Sequence, residues 1–330
     1  MLTIVFDGIC FGDGPPTGVG RAFLSGLAAY AANTPHTCVL LVPAGATVDG
    51  LPTVRRVTAP RGALLRQLAL PRLLRSLRAD VLHSSVAAVP LFARCPTIAT
   101  AHDLPWLHAE LGEPTTAWRR FAAVRSLRTA SAVLAPSRLT ATDVVAATGR
   151  PHRDIWLVPH GTPSVPCADV AARTGPFLVL GDARPRKNLA RVREAHALAS
   201  HSDASLPALQ CIGPGHDYVD EAQKGALLAR CRAVVHCSLF EGFGLPVLEG
   251  LAHGAPVVCS DLPPHREIAG EHAQFVDPRS PAAIAEQLLA VHQDAALRAT
   301  LAEGGWHRAQ HFPPQRVADA WHRVHQQVAR

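Results

Sequence analysis

Short apolar runs alternate with stretches of helical period almost from end to end of the chain. In the first half, Leu2–Phe6, Cys38–Val42, Thr53–Val57, Asp80–His83, Thr97–Thr100, Ala132–Ala135 and Ile155–Val158 read as strands. Between them, Arg21–Ala32, Ala63–Leu77, Thr116–Thr129 and Arg138–Thr148 read as helices. Apolar runs this short, separated by helices, indicate βα units and a parallel sheet covered on both faces. Proline and glycine then concentrate through Gly161–Pro166 and Arg173–Pro176, which reads as a linker.

The alternation restarts after this stretch. Strands are expected at Phe177–Leu180, Ala208–Ile212, Ala233–Cys237, Pro256–Ser260 and Gln274–Val276. Helices are expected at Leu189–Ala199, Glu221–Arg230, Leu245–Ala252, Pro281–His292, Ala295–His311 and Gln315–Val328. The fold class is therefore α/β, with two Rossmann-like, doubly wound parallel-sheet domains. The expected divisions are 1–165, 166–312 and a terminal helix in 313–330 that packs back on the first domain. Ligands of such sheets sit beyond the carboxyl ends of the strands, so those loops are where chemistry is sought.

Composition sharpens this picture in three ways. A chain of 330 residues, 48% of them hydrophobic, exceeds what one core usually serves. The net charge of +6 is carried by arginine, since Lys187 and Lys224 are the only lysines. That balance suits anionic small molecules or an anionic membrane surface. Sparse aromatics without basic interleaving argue against nucleic acid. The eight cysteines form no CxxC pair, and several lie inside apolar runs, which points to reduced thiols. No metal-ligand spacing is present. With neither a leader pattern at the N-terminus nor a long apolar span, a cytoplasmic protein is expected.

Four loops carry candidate chemistry. The first strand leads into Asp7 to Arg21, where Gly18 and Gly20 open a helix that can present amides to an anion. A dinucleotide site fits poorly there, because Pro15 and Pro16 remove donors and no acid follows the second strand. Ala101-His102-Asp103 ends another strand; His102 can stabilise charge or simply be satisfied locally. Arg184, Arg186 and Lys187 sit where a strand turns into a helix, a suitable place for a diphosphate. The stretch Phe240-Glu241-Gly-Phe-Gly-Leu-Pro-Val-Leu-Glu249 places two carboxylates beside glycine amides. Those acids can grip sugar hydroxyls, form a hydrolase dyad, or be ordinary helix acids.

These segments together resemble the family 4 retaining glycosyltransferases of the two-Rossmann (GT-B) type, in the mannosyltransferase-like branch. Phe240 to Glu249 is similar to that family's Glu-x7-Glu motif, and Val179 to Leu189 to its phosphate loop. Thr17–Arg21, Leu70–Leu74, Asp80–Ser84 and Ala101–Leu104 resemble the branch's N-terminal signatures. Ala135–Arg138, Val158–Gly161 and Phe275–Pro278 follow in the family's order. The resemblance implies an acceptor-side first domain and a donor-binding second domain facing a cleft. It implies a nucleotide-sugar co-substrate, GDP-mannose or a UDP-sugar, and a saccharide or lipid-linked acceptor in glycan synthesis.

By the same resemblance, Lys187 and Arg186 neutralise the diphosphate, and Arg184 assists. Glu241 with the amides of Gly242, Phe243, Gly244 and Leu245 holds the sugar, and Glu249 the ribose. His102 lies beside the sugar, and Gly18 and Gly20 near the diphosphate. Two departures stand out. Asp182 occupies a position where the family often has arginine, and the interval from Gly213 to Glu221 is short by one helix–strand unit. The second domain is thus shortened, which keeps open a weakened enzyme, an inactive nucleotide-sugar-binding partner subunit, or a GT-B-type epimerase. The helix Pro71–Arg78 sorts Leu73, Leu74 and Leu77 from Arg72, Arg75 and Arg78. It suits either a peripheral membrane contact or packing on its own sheet.

Overall fold

The computed structural model describes the chain except residues 15, 47, 49, 168–172 and 218, and the side chain of residue 63. Part of the stretch read as a linker lies outside the described residues. The chain forms two compact units: residues 1–107, 114–161 and 314–330 make the first, and 108–113 with 162–313 make the second.

The first unit is built on seven parallel strands: β1 (Thr3–Asp7), β2 (Thr37–Pro43), β3 (Arg55–Ala59), β4 (Val81–Ser84), β5 (Thr97–Thr100), β6 (Ala132–Ala135) and β7 (Ile155–Leu157). They lie in the order β3-β2-β1-β4-β5-β6-β7, the reversal at β1 marking a doubly wound sheet. Its helices are α1 (Gly18–Asn33), α2 (Ala63–Ser76), α3 (Ala117–Thr129) and α4 (Arg138–Thr148). The second unit has five parallel strands, β8 (Phe177–Leu180), β9 (Leu209–Ile212), β10 (Ala233–His236), β11 (Val257–Ser260) and β12 (Gln274–Val276), in the order β12-β11-β10-β8-β9. Its helices are α5 (Leu189–Ser202), α6 (Glu221–Arg230), α7 (Leu245–Ala252), α8 (Pro263–Ala269), α9 (Pro281–Gln293) and α10 (Ala295–Ala309). The last helix, α11 (Pro314–Val328), belongs to the first unit.

Two elements differ from the sequence reading. The third strand begins two residues later than its apolar start suggests, because Val39 to Pro43 of β2 pair with Arg55 to Ala59. Helix α8 was not foreseen at all. Its opening Pro263-Pro264 reads as a break, yet proline at the first helical positions forfeits only amides that have no partner there. The amphipathic stretch near Pro71 packs inward: Leu70 and Leu74 are buried against Val5, Val39, Leu41 and Leu82. Among the described residues no helix is long and apolar enough to cross a membrane.

Helix α11 is fixed to the first sheet by packing and by a directed hydrogen-bond chain. Val317, Trp321 and Val324 are buried with Ile4, Phe6 and Phe23. Gly26 of α1 permits that approach, since a Cβ there would lie 3.0 Å from the Trp321 ring. Behind the indole, Thr100 donates its hydroxyl hydrogen to Ser84 O at 2.9 Å, so it must accept from His83 Nε2 at a long 3.5 Å. His83 Nδ1 is then an acceptor and takes a hydrogen from His325 Nε2 at 3.1 Å. His325 Nδ1 in turn accepts from the Tyr30 hydroxyl at 2.9 Å. The chain as written uses neutral imidazoles: a second proton on His83 would set its Nδ1–H against His325 Nε2–H, and one on His325 would force the Tyr30 hydroxyl to turn from donor to acceptor.

Burial holds His83 down to about 3 and His325 well below the ordinary imidazole value of 6.5. Folded-state values below the unfolded one mean that this stability is present in full above pH 6.5 and is lost as pH falls toward 3. We predict that the protein's stability against thermal unfolding falls between pH 6.5 and 4.5, by about 1.4 kcal/mol per pH unit for each histidine that charges on unfolding. His83→Asn is expected to be less stable at pH 7 but flatter with pH; an unchanged slope would remove this network as the cause.

Candidate functional site

Three adjacent strands of the second sheet, β8, β10 and β11, end in loops that bring charged and polar groups together. The β8 loop tightens into a 3-10 turn over Pro185–Lys187 and leaves through Asn188 in the left-handed region, φ 59°. Asparagine tolerates that conformation, and its side chain here locks the turn. Asn188 Nδ2 donates to Cys237 O at 2.9 Å and to Pro278 O at 2.6 Å. Leu239 N donates to Arg186 O at 2.8 Å, tying the β8 loop to the β10 loop.

Lys187 is thereby aimed at Glu241, with Nζ 2.6 Å from Oε1. His236, the last residue of β10, lies with Nε2 3.0 Å from the same oxygen and 3.3 Å from Ser238 Oγ. Arg186 donates to Phe240 O at 3.2 Å and has Nη1 3.6 Å from Glu241 Oε2. On its other side, Arg186 Nε is 3.3 Å from Glu113 Oε1. Glu113 lies in the segment 108–113, where the His108 ring also packs 4.4 Å from the Phe240 ring. Burial raises the Glu241 carboxyl, but Lys187, His236 and Arg186 outweigh it and hold the group well below the usual carboxylate range. Burial also lowers His236, despite the neighbouring Glu241. The cluster therefore holds two fixed cations against two carboxylates.

Glycine is required where the β10 loop enters α7. Gly244 caps that helix at φ 119°, and a Cβ there would lie 2.8 Å from His265 Cδ2. His265 donates from Nδ1 to Ser260 O at 2.9 Å, while its buried Nε2 has no hydrogen-bond partner and faces Gly244. No side chain caps the α7 N-terminus, and Leu245-Pro246 begins it.

The remaining expected residues fall elsewhere. Glu249, one turn into α7, is paired with Lys224 Nζ of α6 at 2.8 Å rather than with the Lys187 cluster. Arg184 is half exposed and grips Asp182 through Nε and Nη2 at 3.0 and 2.7 Å. Gly18, Gly20 and His102 belong to the first unit. Gly20 N is bound to the capping Thr17 Oγ1 at 3.4 Å. His102 donates from Nε2 to Ser85 O at 2.7 Å and meets His160 through Nδ1 at 3.3 Å. Glu113, His236, Ser238 and His265 carry no local motif that would single them out among the other acids, serines and histidines, while His160 falls within the Val158–Gly161 segment. Asn188 is adjacent to the basic turn and could have been found from the need for a left-handed residue there.

Two doubly wound units, with cations and a buried carboxylate at adjacent strand ends of the second, define an α/β protein whose charged groups lie where ligands of such sheets bind. Comparison gives the family. The model for Glycosyltransferase Family 4 matches residues 18–164, and that for Glycosyl transferases group 1 matches residues 216–308. The chain belongs to this glycosyltransferase family. It is similar to the O-antigen chain mannosyltransferase B of Escherichia coli, 36% identical over 95 residues that make up 29% of this chain and 25% of that protein. The match thus spans only a quarter of that relative's length. Sucrose-phosphate synthase from Thermosynechococcus elongatus shares the fold at TM-score 0.77 and 17% identity, over 99% of both chains. Anabaena HepE, solved in complex with UDP-glucose, does so at TM-score 0.73 and 18% identity, over 99% of this chain and 100% of that one. GT-B is the fold these neighbours share.

Two glycines separate the packing constraint from ordinary helix propensity. Gly244→Ala is expected to cost about 3 kcal/mol through strained φ and the His265 clash. Gly225→Ala, inside α6 and with its nearest neighbour at 3.8 Å, should stabilise by about 0.5–1 kcal/mol. Urea unfolding of both variants checks this, and equal effects would refute the reading of Gly244.

Proposed function

We propose that the chain is a retaining hexosyltransferase that takes its sugar from a nucleotide-sugar donor, with mannose the favoured hexose. The observation that carries this reading is the Lys187–Glu241–His236 cluster with Arg186 beside it, at the carboxyl ends of β8 and β10. Similarity to a mannosyltransferase supports mannose, hence GDP-mannose, as the first donor to test; the UDP-glucose bound by HepE keeps a UDP-sugar as the second.

In the proposed mechanism the diphosphate enters beside Lys187 and Arg186. Both cations are matched by carboxylates before it arrives, so the donor exchanges one set of anions for another. Glu241, released from Lys187, turns its oxygens to the sugar hydroxyls, and His236 keeps it oriented. The amides of Gly242, Phe243, Gly244 and Leu245 bind the same sugar. As the sugar–phosphate bond breaks, Lys187 and Arg186 stabilise the departing diphosphate, and Arg184 adds charge at the rim. The acceptor hydroxyl attacks from the face the leaving group vacates, and its proton passes to a phosphate oxygen. Glu249 takes the ribose hydroxyls, with Lys224 holding the carboxylate in place. Gly18, Gly20 and His102 are assigned to the diphosphate and sugar by family resemblance. The acceptor is a saccharide or a lipid-linked glycan.

Turnover should be measured by nucleoside diphosphate release from GDP-mannose, UDP-glucose and related donors, with and without glycan acceptors. Lys187→Ala is expected to lower turnover of the accepted donor by about a hundredfold or more. Near-wild-type turnover in that variant, or acceptor-independent conversion of the sugar itself, would overturn the assignment.

A further inference from the structure

The segment 108–113 lies against the charged loops of the second unit. It is short and closes on itself. Ala109–Leu111 make a single 3-10 turn, with Leu111 N donating to His108 O at 3.0 Å and Gly112 N to Ala109 O at 3.3 Å. Gly112 ends the turn in the left-handed region, φ 60°, and Glu113 follows. Leu111 is buried, and the His108 ring lies against Phe240, the residue before Glu241. The segment thus reaches from the β10 loop to the guanidinium of Arg186, where the Glu113 side chain is 10% exposed and that of Arg186 5%.

Arg186 uses its two edges differently. Nη1 donates to Phe240 O at 3.2 Å and stands 3.6 Å from Glu241 Oε2, whereas Nε faces Glu113 Oε1 at 3.3 Å. That glutamate oxygen is buried and has no hydrogen-bond partner, so charge is what holds it there. Glu241, by contrast, is held by Lys187 at 2.6 Å, His236 at 3.0 Å and Arg186 at 3.6 Å. A phosphate takes a guanidinium best through two parallel N–H groups, and the edge that includes Nε is the one Glu113 occupies. A phosphate oxygen seated there would stand beside Glu113 Oε1 in a poorly hydrated place, where like charges repel strongly. Glu241, held by three groups, remains in the cluster; Glu113 is the carboxylate that can leave it. We infer that Glu113 is an internal anion holding the place of a ligand phosphate on Arg186, and that the segment 108–113 lifts away when a diphosphate seats. The inference rests on reading the cluster as a diphosphate site. It makes Glu113 a determinant of donor affinity, which keeps Arg186 paired beforehand and weakens every donor by the same factor, whatever its base.

Calorimetry with inorganic pyrophosphate, which carries neither base nor sugar, reads this competition directly. Glu113→Gln keeps the shape and removes the charge, and is expected to bind pyrophosphate about fivefold or more tightly than the wild type. Glu113→Asp keeps the charge but shortens the reach to Arg186, and is expected to tighten binding in the same direction. An effect of overall field alone would leave the aspartate variant at the wild-type affinity and overturn the inference. Lys187→Ala separates this inference from the reading of the site. If that variant binds pyrophosphate weakly while both Glu113 variants match the wild type, the inference falls and the site reading stands; if Lys187→Ala binds as the wild type does, both fall. Hydrogen exchange of the wild type needs no variant. The amides of Leu111 and Gly112 should exchange about tenfold faster with pyrophosphate bound, as Leu111 leaves its buried place. Weaker binding by Glu113→Gln, or slower exchange at these two amides, would make Glu113 a support of Arg186 and overturn the inference.

Discussion

The ion pair between Lys187 and Glu241 is the interaction around which the charged loops of the second unit are arranged. Its 2.6 Å separation exists because β8 and β10 are neighbours in the sheet and their loops leave the same edge. Removing either partner would strand a charge among groups with little solvent, which is far costlier than losing an exposed ion pair. The loops are therefore shaped around it. Asn188 accepts a left-handed backbone to turn Lys187 inward, and Gly244 accepts another to let His265 close beneath α7.

Such a balanced cluster is stable without a ligand and yet ready for one. Glu113 and Glu241 sit where they compensate Arg186 and Lys187, so the fold pays no penalty for unpaired buried cations. A diphosphate offers the same cations more charge and a planar match for the guanidinium. In the proposed reaction Glu241 would then be free to serve hydroxyl groups, as an acceptor while it stays ionised beside His236.

Much of the architecture was legible because parallel strands buried on both faces leave unmistakable apolar runs. What failed had physical causes. Pro263-Pro264 disguised α8, since the same residue type breaks a helix inside and begins one at its end. The edge strand β3 was displaced toward Ala59 because its register is set by β2, while its own Arg55 and Arg56 remain exposed. At the candidate site, the Glu-x7-Glu stretch and the basic turn could be read locally. Glu113, His236 and His265 could not, because they reach the cluster from three other points in the chain. Helix amphipathicity offered packing on the sheet for the leucines of Pro71–Arg78, and Leu74 is buried there; the exposed leucines lie one to three turns earlier.

The distribution of cations ties these observations together. Both lysines of the chain face glutamates of one motif, Lys187 against Glu241 and Lys224 against Glu249. Every other basic side chain outside the histidines is arginine. A lysine ammonium is a compact charge on a flexible stem, suited to reaching a carboxylate that is largely enclosed. Arginine forks instead serve where several acceptors are met at once, as Arg173 does by donating to Leu228 O and His253 O. The division of labour follows from the chemistry of the two groups, with each lysine point charge set on a motif carboxylate and the arginine fork spread over several acceptors.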